Sequence, residues 1–181
     1  MILNANFFHR DALEVAPDLI GKVLVRKLDD NAILRVRITE TEVYRGEEDK
    51  SCHARFGKTP RSIMLYRESG LIYVYMCYGI HYLMNIITGE VEQPQGVLIR
   101  AGENLTGPAK LTKYLQIDKS FNGQTIYNNS KVWIENDGYK PNIVTAKRIG
   151  IDYAGEENGL TNYGDIFLIN ICVSNNLSHH L

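Results

Sequence analysis

No apolar run in the chain approaches the roughly 18 residues a membrane-crossing helix needs, so none is expected. Cysteine is scarce: Cys52, Cys77 and Cys172 are far apart and form no CxxC pair. That spacing excludes a disulfide framework and structural zinc, and it points to a reducing compartment. The opening stretch, MILNANFFHRDALEVAPDLIG, sets acids among its apolar residues and lacks a basic start with a small-residue cleavage site, so no signal peptide is expected. Internal repeats and low-complexity linkers are missing as well. Net charge is only −1, without the overall basic excess of a nucleic-acid binder.

What remains is the composition of an ordinary globular protein, with 181 residues, 44% hydrophobic and 23% charged. One domain over residues 1–181 is expected, with 175–181 as a frayed tail. The basic residues are unevenly placed. Lys50, Arg55, Lys58, Arg61 and Arg67 occur with no acid between Lys50 and Arg67, and Lys110, Lys113 and Lys119 have only Asp118 among them. Such clusters are commonly solvated surface, and charge alone leaves their purpose open.

The spacing predicts a helix over Asp11–Leu19, with Gly21 just beyond its end. Strands are predicted at Lys22–Leu28 and Ile33–Tyr44, with a polar exposed loop over Glu47–Arg61. LIYVYMCYGIHYLMNIIT reads as an antiparallel hairpin with Tyr78 at or near its tip. A strand at Gly96–Ala101 precedes a helix at Ala109–Gln116, which Pro108 opens. Strands at Lys131–Glu135, Ile143–Ile151 and Asp165–Ser174 complete the chain. Together these give an α+β fold on a curved, largely antiparallel β-sheet with flanking short helices.

Chemistry concentrates in ITETEVY. Alternation along a strand carries the apolar row Leu34, Val36 and Ile38 into Glu40, Glu42 and Tyr44 on the same face. A carboxylate at the rim of a core is desolvated, and so is a stronger base when ionised. Glu40 and Glu42 would lie roughly 6.5–7 Å apart, enough for an activated water, although a plain salt bridge for one of them, or a bulge that turns both out to solvent, accounts for them equally well. Arg100, between apolar neighbours in GVLIRAGE, needs an anion such as Glu42. Five of the eleven tyrosines fall between Tyr66 and Tyr82. Cross-strand packing explains most of them but not Tyr78, which suits a wedge or stacking group. His53 follows Cys52 in the basic loop; no further ligand has metal spacing, so neither metal nor cofactor is expected.

Taken in order, LIGKVLVRKL, RITETEVYRGEED, the His53–Arg61 loop ending TPR, LIYVYMCYGIHYLMNI, GVLIRA, LTGPAKLTKYLQIDKSF and AKRIGIDYAG closely resemble the alkyladenine (3-methyladenine, or N-methylpurine) DNA glycosylases. The resemblance covers most of Leu19–Gly155. It implies that Glu42 is the general base activating water and that Arg100 helps hold that water and the carboxylate. It implies that Tyr44, His53 and Tyr75 sandwich and bond an extruded base, that Asn85 helps reject guanine, and that Tyr78 fills the gap in the duplex. The Ile149 carbonyl would be a further water contact, and Lys58, Arg61 and Lys110 would meet phosphates by motif and charge.

The implied enzyme releases 3-methyladenine, 7-methylguanine or hypoxanthine from double-stranded DNA and leaves an abasic site without a lyase step. It would work as a monomer, without cofactor or membrane, in the cytoplasm, and on the nucleoid if the source is bacterial. Three features depart from the family, the first being an overall charge less basic than a DNA enzyme would suggest. Almost nothing separates GVLIRAGE from LTGPAKL, and NYGDIF stands where an arginine-bearing segment is usual. A non-catalytic nucleic-acid binding module, or a carbohydrate hydrolase using Glu40 and Glu42 as an acid–base pair, are the competing readings of the same residues.

Overall fold

The computed structural model describes residues 1–148 and 169–174. A one-turn helix, α1 (Ala5–Phe8), precedes α2 (Ala12–Leu19). The Asp11 carboxylate caps α2 by accepting from the Leu13 amide, and Gly21 follows at φ +84°. The strands are β1 (Val23–Lys27), β2 (Ile33–Arg45), β3 (Ile72–Cys77), β4 (His81–Ile87), β5 (Gln95–Gly102), β6 (Val132–Glu135), β7 (Ile143–Lys147) and β8 (Ile169–Val173), with α3 (Pro108–Tyr114) between β5 and β6. Pro108 begins α3, where its missing N–H costs nothing.

All the strand pairings are antiparallel, in the order β3-β4-β5-β2-β1-β6. β8 adds to β2 at Glu40–Glu42, beyond the stretch held by β1, and β7 pairs with β8. This curled antiparallel sheet with short helices is the α+β architecture the pattern implied. The expected strand ends beyond Lys147 and before Ile169, the Ile149 carbonyl and the 175–181 tail lie outside the described residues.

One face of the sheet packs Ala12, Val15, Ala16 and Leu19 of α2 and Leu111 of α3 against Val36, Ile38, Val43, Val74, Ile86, Val97 and Ile99. Strict alternation would put Val36, Ile38 and Glu42 on one face and Val43 on the other. The ladder breaks that alternation. Between β2 and β5 the partners run Ile38↔Gly102, Glu40↔Ala101 and Thr41↔Ile99, so Thr39 and Arg100 have no opposite number in this ladder. Each is an extra residue that reverses the parity of its strand. Beyond the break, Thr41 donates to the Ala16 carbonyl of α2 and Val43 joins the core. The apolar row therefore does not continue into Glu40, Glu42 and Tyr44; these three occupy the other face.

That other face is roofed by the segment after β2, which the sequence suggested would be an exposed loop. Instead Asp49, Cys52 and Ala54 are buried, and Cys52 and Ala54 pack with Met64, Leu65, Tyr66, Tyr73 and Ile87 in a second, smaller core. Short 3-10 turns at His53–Phe56 and Ile63–Tyr66 shape it. The β3–β4 hairpin projects past this roof, and at its tip Tyr78 and Gly79 both have positive φ, +52° and +72°.

The double break leaves little room around Gly102. A β-carbon there would lie 2.1 Å from Val36 Cγ1 and 3.1 Å from the Arg37 carbonyl oxygen. Gly102→Ala should therefore lower stability by about 1–3 kcal/mol, read as a fall in the urea midpoint with an unchanged m-value.

Candidate active site

Strand register sets the site. Asn170, Glu42, Leu98, Asn85 and Tyr73 are successive cross-strand partners on β8, β2, β5, β4 and β3. With strands about 4.8 Å apart, this rung spans roughly 19 Å. It sets the Glu42 carboxylate beside the Asn170 amide, then Leu98, a second amide at Asn85 and an aromatic ring at the far end.

Around the carboxylate, three charges converge. Arg100 Nε lies 3.0 Å from Glu40 Oε1 and 3.3 Å from Glu42 Oε1. Both acids are nearly covered, Glu40 at 6% and Glu42 at 1% exposed. Arg100 is two residues from Leu98, the cross-strand partner of Glu42, so alternation along β5 brings its guanidinium to this face. Tyr44 donates its hydroxyl to the other oxygen of Glu42, Oε2, at 2.9 Å. Burial first, and the Glu42 charge second, push the Tyr44 phenol well above its usual range, so it stays protonated and remains a donor. Asn170 Nδ2 donates to Glu40 Oε1 at 2.5 Å.

A second, wholly buried ion pair stands behind Tyr44. Arg148 donates to both oxygens of Asp49, at 2.9 and 2.7 Å, and to the Val43 carbonyl at 2.8 Å. Its guanidinium carbon sits 4.4 Å from the centre of the Tyr44 ring. Asp49 also accepts from the backbone amides of Arg45 and Ser51. The bidentate pair thus ties the roof to the strand that bears Glu42.

The aromatic side of the site comes from β3 and the roof. His53 packs edge-on against Tyr75, with ring centres 4.5 Å apart, and its Nδ1 is within hydrogen-bonding distance, 2.9 Å, of the Tyr73 hydroxyl. Burial, then the Arg61 and Arg55 charges, push the His53 imidazole down to about 4, so it is neutral near pH 7. Asn85 is buried and donates to the Tyr73 carbonyl at 3.3 Å.

Tyr44, His53, Tyr75, Asn85, Glu42 and Arg100, scattered in sequence, therefore meet on one face. Tyr78 stands apart at the hairpin tip, 91% exposed, in a backbone region costly for a non-glycine residue. Of the basic residues, Arg61 lies with its guanidinium carbon 5.1 Å from the centre of the Tyr75 ring, Lys58 pairs with Glu92, and Lys110 is exposed on α3. Thr112 of α3 donates to the Tyr82 carbonyl at 2.7 Å, fastening that helix to the hairpin.

The family model described as Methylpurine-DNA glycosylase (MPG) matches residues 6–107 and 103–164. The chain belongs to the methylpurine-DNA glycosylase family. Its similar relatives include proteins of Psychrobacter cryohalolentis, Natranaerobius thermophilus and Methanocella arvoryzae, each carrying the provisional name 3-methyladenine DNA glycosylase. They are 44%, 39% and 37% identical to it, over 86% of this chain in every case and 87%, 90% and 88% of the relatives. The chain is accordingly a DNA-repair glycosylase, a hydrolase of the N-glycosidic bonds of damaged purines.

Three contributors to this cluster escaped the sequence reading. Asp49 looked like one acid of a solvated run, Glu47-Glu48-Asp49, and its partner Arg148 is 99 residues away. Asn170 lies in an apolar strand, INICV, where a buried amide among Ile and Cys was the available signal.

Removing Asp49 leaves the Arg148 guanidinium buried without its counter-charge. Asp49→Ala should cost about 3–5 kcal/mol of stability, seen as a large drop in melting temperature. The folded glycosylase binds a proton at His53 more weakly than the unfolded chain does. The resulting penalty is absent above pH 6.5 and grows as pH falls towards about 4. His53→Gln should therefore lose less stability than the wild type across that interval in urea melts, and the wild-type imidazole should stay neutral by NMR at pH 6.

Proposed function

We propose that this enzyme turns alkylated or deaminated purines, among them 3-methyladenine, 7-methylguanine and hypoxanthine, out of duplex DNA and hydrolyses their N-glycosidic bond as a monofunctional glycosylase. The observation that carries the reading is the position of Glu42. It is a nearly covered carboxylate, oriented by Tyr44 and Arg100, on the same sheet face as the aromatic group of Tyr75 and His53. A base within a duplex must leave the stack before water can reach C1′, and a damaged, poorly paired base costs less to extrude.

In this scheme Tyr44, His53 and Tyr75 hold the extruded base, stacking being worth about 1–3 kcal/mol per contact. Neutral His53 suits a purine edge better than a cation would, since alkylated purines are themselves positively charged. Asn85, on the same rung as Glu42, discriminates against guanine. Glu42 takes a proton from the attacking water while its charge favours the oxocarbenium-like sugar, and Arg100 keeps carboxylate and water in place. Tyr78 fills the gap left in the duplex. Lys58, Arg61 and Lys110 meet phosphates, Lys58 exchanging Glu92 for one. No lysine is assigned to the base pocket, so the product is an abasic site with an intact strand. The enzyme would act as a monomer in the cytoplasm, where chromosomal DNA is accessible, on the nucleoid in a bacterium.

The test is release of free base from methylated duplex DNA and from oligonucleotides containing hypoxanthine. Glu42→Gln should reduce single-turnover release about 10²–10⁴-fold while duplex binding persists. Unchanged release by that variant would refute Glu42 as base. Strand cleavage without alkali would refute the monofunctional mechanism.

A further inference from the structure

Glu40 has no part in the scheme above, yet it is the nearer carboxylate to the arginine of the site. A single Arg100 N–H group, at Nε, faces Glu40 Oε1 at 3.0 Å and Glu42 Oε1 at 3.3 Å. The N–H donates to Glu40, and Glu42 meets the same nitrogen as an ion pair, so the two acids divide one edge of the guanidinium. Asn170 grips the same Glu40 oxygen from β8, and Glu40 is the cross-strand partner of Cys172 there, which fixes the acid against the strand.

The geometry points to Glu40, held by Asn170, as a positioning residue that keeps Arg100 shared and stops the guanidinium from closing onto Glu42. This rests on Glu42 being the base. A guanidinium committed to one carboxylate forms a bidentate pair, whose acid is a poor proton acceptor. With Glu40 present, the Arg100 guanidinium is divided between two carboxylates in a covered site. Glu42 then keeps enough basicity to take a proton from water.

Several other groups act on Glu42, and all stay constant in the comparison proposed. Tyr44 donates to it from its own strand, Arg148 bears on it from beyond β7, and Tyr75 faces it from β3. On the far side, Glu40 contributes to raising the Cys172 thiol, after burial. Changing Glu40 to glutamine keeps the shape and removes one charge.

The experiment measures single-turnover release of methylpurines from methylated duplex DNA against pH, with spontaneous release subtracted, alongside a carbon-13 NMR titration of the Glu42 carboxyl. Glu40→Gln should move the acid limb, and the Glu42 titration with it, about one unit lower. It should also cut the plateau rate about tenfold or more, as Arg100 settles on Glu42. Asn170→Ala should shift both in the same direction by less, and add nothing in the Glu40→Gln background, because it acts through Glu40. The idea is overturned if a folded Glu40→Gln protein leaves the Glu42 titration where it was or raises it, whatever happens to the rate. Should Glu40→Gln fail to fold, Asn170→Ala alone decides: an unshifted titration rejects the proposal. The NMR readout needs no turnover, so a failure here is separate from survival of activity in Glu42→Gln, which would reject the base assignment itself.

Discussion

Everything in this site follows from a broken alternation. A strand with period two can offer either its apolar row or its charged row to a given face, never both, unless a residue is added. Here one is added on each of two neighbouring strands, Thr39 on β2 and Arg100 on β5, so that the ladder resumes in register after both have changed parity. β2 thereby feeds the main core with Val36 and Ile38 before the break and with Val43 after it, where Thr41 also bonds to α2. The residues displaced to the opposite face are the acids, and one of the two extra residues is the arginine between them.

Placing three ionised groups under cover is expensive, since taking charges out of water carries a penalty that attraction recovers only with good geometry. The molecule meets this by nesting pairs. Arg100 answers the two glutamates, while Arg148 and Asp49 form a closed bidentate pair one layer behind, with Tyr44 between the two groups. Tyr44 is the hinge of the arrangement: its ring rests on Arg148 and its hydroxyl donates to Glu42. The roof and the strand that bears Glu42 are thereby fastened together beside the acid pair.

Much of the scaffold was legible beforehand, for local reasons. Asp11 and Gly21 bracket α2, Pro108 opens α3, and the aromatic, β-branched runs around Tyr78-Gly79 form the hairpin as their composition implies. That Tyr44, His53, Tyr75 and Asn85 come together was implied by family resemblance; spacing alone could not have assembled them. The parity of β2 was misread because alternation assumes an unbroken ladder, and nothing in ITETEVY marks Thr39 as extra. The burial of Asp49 was misread for another reason: an acid in a polar run looks solvated until its partner, far along the chain, is known. Contacts between distant residues, such as Arg148 with Asp49 or Asn170 with Glu40, leave no periodic trace.

The hairpin tip has a kinetic meaning. Tyr78 is held out by a left-handed backbone turn that limits its freedom before any duplex arrives. On the proposed reading, a backbone already shaped in this way loses little conformational entropy when the side chain enters a base step. Most of the work of interrogation then falls on the DNA, through the ease with which each step unstacks. An enzyme built like this samples sequence at the pace of the duplex's own opening. It would dwell longest where damage has already loosened the pairing, so part of the search for lesions is carried out by the substrate.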